Sequence, residues 1–206
     1  MSGRPTILIS SRVDVHAEIS EARDAVDQRL SQFVWQAGFT PVIAPNLPAA
    51  VPDIFNQVRP SGLLLSGGND LVSLGGGHPE RDACEAKLVE LFQREGRPIF
   101  GICRGLQFLL ALDKGKLQSI DGHVRTRHWI SSPDGGRLRE VNSYHRFAPL
   151  NLPPDWEGLA KTEDGCIEWA RRGALVQGVM WHPEREEIFE REDLALMRDH
   201  FTAGAK

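Results

Sequence analysis

The residues most suited to chemistry are Gly101-Ile102-Cys103-Arg104-Gly105, where a cysteine stands in the serine position of a G-x-S-x-G nucleophile elbow. A strand feeding this segment and a helix leaving it would hold the sulfur on a strained turn. Glycines on both sides leave room for that turn. The amino end of the helix favours the thiolate, which is the attacking form. An arbitrary cysteine is more often a small buried hydrophobe, but the glycine pair and the strand–turn–helix setting favour the nucleophile. A thiolate needs a base, and His182-Pro183-Glu184 supplies one with an orienting carboxylate two residues away. Proline keeps His182 extended, so Glu184 leans to the same side, holds one ring nitrogen and leaves the other for Cys103. Alone, this reads more readily as a loop histidine beside a solvated Glu in a charged run from Glu184 to Glu187, and it is the elbow that reverses the balance. Donors for a developing oxyanion are the backbone N–H of Gly68, in Ser66-Gly67-Gly68, and that of Arg104 after the nucleophile. The Gly-Gly pair also suits a tight turn, and both roles can hold together.

The elements that must position these groups alternate strand and helix through the first half. Thr6 to Ser10 reads as a buried first strand. Ala22, Ala25, Val26, Leu30, Phe33, Val34 and Ala37 recur at helical spacing and predict a helix over 20–37, stopped by Gly38. Strands are predicted at 41–45, 62–65 and 98–102, with helices over 51–58, 80–95 and 106–112. Such alternation predicts a mostly parallel sheet covered on both faces. The second half holds short strands at 140–144, 158–162, 167–170 and 175–181, turn signals at Asp134-Gly135-Gly136 and Asp164-Gly165, and a closing helix over 186–201. No repeat or linker interrupts the chain, although 131–137 reads as a mobile tip, so 1–206 is expected to be a single domain.

Composition excludes more than it identifies. With 24 Lys plus Arg against 28 Asp plus Glu, the net charge is −4, which offers no field to draw nucleic acid or an anionic membrane. No apolar run approaches a bilayer span and no signal-peptide layout opens the chain, so a cytoplasmic location is expected. Cys84, Cys103 and Cys166 form neither a disulfide framework nor a zinc knuckle; Cys84 and Cys166 are read as structural.

Taken together, Ser66-Gly67-Gly68, Gly101-Ile102-Cys103-Arg104-Gly105-Leu106-Gln107, Val141-Asn142-Ser143-Tyr144-His145 and Trp181-His182-Pro183-Glu184 resemble the class I glutamine amidotransferase superfamily. Within it the chain looks like the stand-alone γ-glutamyl hydrolase branch that includes the γ-glutamyl-γ-aminobutyrate hydrolases. The resemblance runs nearly the full length. It implies a flavodoxin-like three-layer sandwich with a small antiparallel addition in the second half. It also implies a Cys103–His182–Glu184 triad that cleaves a γ-glutamyl amide through a thioester. Gln107 matches the residue that contacts the γ-glutamyl group, and Asn142, Ser143, Tyr144 and His145 match the segment that holds its α-amino and α-carboxylate ends. Arg81-Asp82, Gly122-His123-Val124 and the run 178–186 extend a narrower likeness to short capsule-pathway hydrolases that remove glutamate from a nucleotide-linked phosphoramidate.

Arg12 at the sheet edge, and a cationic cluster of His123, Arg125, Arg127 and His128, are candidates for a diphosphate leaving group or for solvated surface charge. The chemistry needs no metal or organic cofactor. The expected partner is a small γ-glutamyl substrate rather than nucleic acid or membrane, with a homodimer left open. Competing readings are a glutaminase subunit feeding ammonia to a synthetase, a non-catalytic relative with a broken triad, and a stress-type protein of the related cysteine-elbow fold.

Overall fold

The computed structural model describes residues 3–203. Its framework is a nine-stranded sheet that is parallel on one side and antiparallel on the other. The parallel side comprises β1 (Thr6–Ser10), β4 (Thr40–Ala44), β5 (Gly62–Leu65), β6 (Ile99–Ile102) and β13 (Val176–Val179), in the order β4-β1-β5-β6-β13. The sheet continues antiparallel through β12 (Ile167–Arg172), β11 (Trp156–Lys161), β8 (Val124–Ser131) and β9 (Arg137–Tyr144).

Short, almost wholly apolar strands serve the parallel side because both of its faces are covered. Alternation then sends Ile7, Ile9, Leu64, Phe100 and Ile102 to one face, where they meet α1 (Gln28–Gln36) and α5 (Arg191–Ala203) through Leu30, Phe33, Met197 and Phe201. On the other face Leu8, Leu63, Leu65 and Ile99 pack with Phe55 of α2 (Val51–Val58), Leu88 and Phe92 of α3 (Pro79–Arg94), and Leu106 and Leu109 of α4 (Arg104–Leu112). The result is the expected three-layer α/β sandwich. Among the described residues no helix is long and apolar enough to cross a membrane.

Two expectations are corrected. The helix predicted over 20–37 begins only at Gln28, capped by Asp27, whose side chain accepts from the Arg29 N–H at 2.9 Å. Residues before it form an antiparallel hairpin of β2 (Arg12–His16) and β3 (Glu21–Ala25). Long-range ties override the weak helical spacing of its alanines. Asn69 bonds both backbone groups of Val13, at 2.8 and 3.0 Å, and Asp24 grips Asn46 from the next loop, accepting from its N–H at 2.9 Å and its amide at 2.6 Å. The run around His123 to His128 is divided, with Arg125 and Arg127 exposed, His123 buried and His128 half-buried. It enters β8, whose alternation turns His128 inward, while Arg127 pairs outward with Glu140 and Glu186. The segment 131–137 closes the β8–β9 hairpin in a bonded turn, with Ser132 N–H to the Gly136 carbonyl at 2.8 Å. Smaller additions are the pair β7 (Leu117–Ser119) and β10 (Phe147–Pro149).

Candidate active site

Cys103 stands between the end of β6 and the start of α4 with φ 52° and ψ −106°, a strained backbone for a residue with a side chain. Its N–H is anchored to the Val179 carbonyl of β13 at 2.7 Å. The tight return of α4 over the sheet explains both flanking glycines. A Cβ at Gly101 would lie 2.5 Å from the Gly105 carbonyl carbon, and one at Gly105 would overlap the Leu65 carbonyl. In the first turn of α4, the N–H of Arg104 lies too early to have an intrahelical acceptor, and Arg104 lines the same cavity as Cys103.

His182 follows β13 and is almost fully buried. Its Nδ1 is 2.6 Å from Glu184 Oε1, in the 3-10 turn Pro183–Arg185, which leaves Nε2 for Cys103. Burial alone would lower the basicity of the imidazole. The Glu184 carboxylate and the Cys103 sulfur, which hydrogen-bonds the ring, outweigh burial and push its pKa up to about 10. Three further contacts fix the ring. Asn142 brackets the His182 backbone, accepting from its N–H at 2.9 Å and donating to its carbonyl at 2.8 Å. Tyr144 stands edge-on to the imidazole at 5.6 Å. Gly67 backs it so closely that a Cβ there would lie 2.6 Å from Cε1.

The loop after β5 is held by a residue that sequence reasoning missed as a site element. Arg81, buried in α3, donates to the carbonyls of Ser66 (2.8 Å), Gly67 (3.2 Å) and Gly68, to Ser66 Oγ and to Asn69 Oδ1 at 2.9 Å. With these acceptors drawn to one side, the loop carries Gly68, at φ 81°, along the cavity wall beside Cys103. Beneath it Glu85 is fully buried between Arg81, Arg104 and Ser10. Burial opposes its charge, but the guanidiniums of Arg104 and Arg81 prevail and hold its pKa below the usual carboxylate value. The side chain of Arg104 is therefore committed to Glu85 and Asp82, and only its backbone is left for the cavity.

The cavity beside Cys103 holds about 200 Å³ and is lined by Gly68, Asn69, Asp70, Gln107, Tyr144 and His145 along with Arg146, His182 and Arg185. Of the candidates from the sequence, Cys103, His182, Gly68, Arg104, Gln107, Tyr144 and His145 converge here, with Glu184 behind His182. Gln107 is partly committed, because its amide nitrogen donates to the Phe147 carbonyl at 2.8 Å. Asn142 and Ser143 do not line this cavity. The Asn142 amide is spent on the His182 backbone, and Ser143 Oγ donates to the His123 carbonyl at 2.7 Å. Arg12 pairs with Asp14 and lies in a separate recess across Gly67 and Gly68, which Arg185 also borders. Asp70 and Arg146, joined at 2.8 Å on the rim, were missed, and no local spacing pairs residues so far apart in sequence.

With this geometry in place, comparison with known proteins is decisive. The family model described as Peptidase C26 matches residues 5–134 and 123–184. The chain belongs to the Peptidase C26 family. One relative, γ-glutamyl-CDP-amidate hydrolase of Campylobacter jejuni, is 31% identical over 68% of this chain and 69% of its own. Another, anthranilate synthase component 2 of Archaeoglobus fulgidus, is 31% identical over 64% of this chain and 77% of its own. A crystal structure described as a putative GMP synthase protein from Thermoplasma acidophilum superposes with a TM-score of 0.71. It covers 99% of this chain and 96% of its own at 16% identity, which establishes a shared fold. The Peptidase C26 match takes in the elbow at Cys103, and His182 and Glu184 at its far end.

Proposed function

We propose that this protein is a cysteine hydrolase that cleaves a γ-glutamyl amide bond through a γ-glutamyl thioester. The observation that carries the reading is the convergence of Cys103 and His182 on one polar cavity that Gly68 and Arg104 also line, with Glu184 bonded to the far nitrogen of His182. Cys103 Sγ gives its proton to His182 Nε2 and attacks the γ-carbonyl. The backbone N–H groups of Gly68 and Arg104 receive the charge that develops on the carbonyl oxygen. Collapse of the tetrahedral species breaks the C–N bond, and His182 returns the proton to the departing nitrogen. Water, deprotonated by the same imidazole, then hydrolyses the thioester, freeing glutamate and the thiol. Glu184 holds the ring in the tautomer that directs Nε2 to the sulfur and stabilises the imidazolium.

For the leaving group the preferred reading is a nucleoside diphosphoramidate, so that the substrate is γ-glutamyl-CDP-amidate. The similarity to the C. jejuni relative supports it. A glutaminase subunit is the second reading, favoured by the similarity to anthranilate synthase component 2. Glutamate release from γ-glutamyl-CDP-amidate, γ-glutamyl-γ-aminobutyrate and glutamine, at equal concentration, separates these. The preferred reading predicts the highest kcat/KM for the first substrate. Preference for glutamine would favour the glutaminase reading, and preference for the aminobutyrate amide would move the leaving group to a simple amine.

A further inference from the structure

Behind the His145 wall of the cavity lies a second cluster that the proposed reaction does not use. His123, just before β8, His128 within β8 and Glu168 in β12 bring one ligand atom each within 4.8 Å of one another. His128 Nε2 is 3.4 Å, and His123 Nδ1 3.8 Å, from Glu168 Oε1. Ligands about 2.0–2.2 Å from a tetrahedral ion would be separated by roughly 3.4 Å. The set is therefore nearly at coordination spacing.

Polar saturation gives an independent argument. His123 and Glu168 are at least nine-tenths buried, yet His123 Nδ1, His128 Nε2 and Glu168 Oε2 have no hydrogen-bond partner among the described residues. Buried polar atoms are rarely left so. The outer contacts follow the pattern seen around ligating side chains. His123 Nε2 is 2.8 Å from Asp164 Oδ2, which directs Nδ1 inward, and His145 Nε2 is 3.1 Å from Glu168 Oε1. Cys166 lies on the side of His123 already taken by Asp164. A cavity of about 320 Å³, bordered by Gly122, His123, His128 and Asp164, gives access from solvent.

We propose that His123 Nδ1, His128 Nε2 and a Glu168 carboxylate oxygen bind one divalent transition-metal ion of the zinc class, with Asp164 and His145 bracing the ligands. Two imidazoles and a carboxylate suit such an ion better than calcium or magnesium, which prefer all-oxygen shells. The ion has a mechanical role. β8 joins β11 through the single pair Ser131–Lys161, so an ion linking His123 and His128 to Glu168 would staple β8 to β12 across that weak seam. It would also fix His145 and the end of β9, because the His123 carbonyl accepts from the His145 N–H at 3.1 Å and from Ser143 Oγ.

The test uses the full chain carrying Cys103→Ala, so that the sulfur at the candidate active site binds no metal, stripped with a chelator and titrated with Zn²⁺. Metal retained after gel filtration and the unfolding temperature are both read. The expected result is one zinc per chain and a rise of about 5 °C or more at saturating metal. Adding His128→Ala or His123→Asn should weaken zinc binding at least about tenfold and abolish the rise, whereas His16→Ala, in the exposed hairpin, should change neither. Failure of the parent to retain zinc, or undiminished binding and stabilisation in both ligand variants, would overturn the site.

Discussion

Arg81 makes five donor contacts to the Ser66–Asn69 loop, and no other side chain could replace that geometry. Lysine keeps the charge but offers one point donor in place of a planar fork. Arg81→Lys should therefore let Gly68 drift from the oxyanion position, lowering kcat about 100-fold with a much smaller change in KM, as steady-state kinetics would read. Glu184 acts on His182 through charge as well as orientation. Its carboxylate helps to hold the imidazole pKa up to about 10, so activity that needs a protonated His182 should persist through neutral pH and fall only as pH rises through that value. Glu184→Gln removes that raising influence, and the basic limb of the kcat/KM profile should move to lower pH by about one unit or more. At this scale Cys103, His182 and Glu184 were legible because local spacing carries their chemistry. Arg81, and the part that Asn142 plays behind His182, were not, since each acts on backbone that folding brings to it, across 12–15 residues for the Arg81 contacts and 40 for the contacts of Asn142 with His182.

The elements meet at positions that tolerate no side chain, and two glycines there should fail differently. A methyl group at Gly105 would press α4 against the Leu65 carbonyl of β5, two rigid backbones. Gly105→Ala should cost about 2–3 kcal/mol in urea unfolding. At Gly67 the neighbour is the His182 ring itself, so Gly67→Ala should displace the imidazole and depress kcat while leaving the unfolding midpoint nearly unchanged. Equal stability losses in the two variants would contradict this division. The strands and helices of the parallel side were readable because each is a continuous apolar run or a well-punctuated amphipathic one. The β2–β3 hairpin and β8 were not, because their faces are largely exposed and their pairing is fixed by distant groups such as Asn69 and Glu140.

Across the whole molecule the sandwich closes where α5 docks on β6, and His200 marks that contact. It is buried against Phe100, with Nε2 donating to the Ile99 carbonyl at 2.9 Å. Burial, only partly offset by that bond, lowers its pKa to about 4. Protonation thus favours the unfolded chain. The stabilisation is complete above the unfolded value of about 6.5 and is lost towards pH 4, by about 1.4 kcal/mol for each unit in between. Relative to the parent, His200→Gln should flatten the decline of unfolding free energy across that window; parallel curves would contradict the assignment. The sheet so closed fixes the turn at Cys103, on which the proposed reaction depends. Its most direct test is glutamate release from γ-glutamyl-CDP-amidate by Cys103→Ala, with circular dichroism confirming the fold. The account predicts a fall of at least about 1,000-fold. Turnover within tenfold of the parent would contradict it.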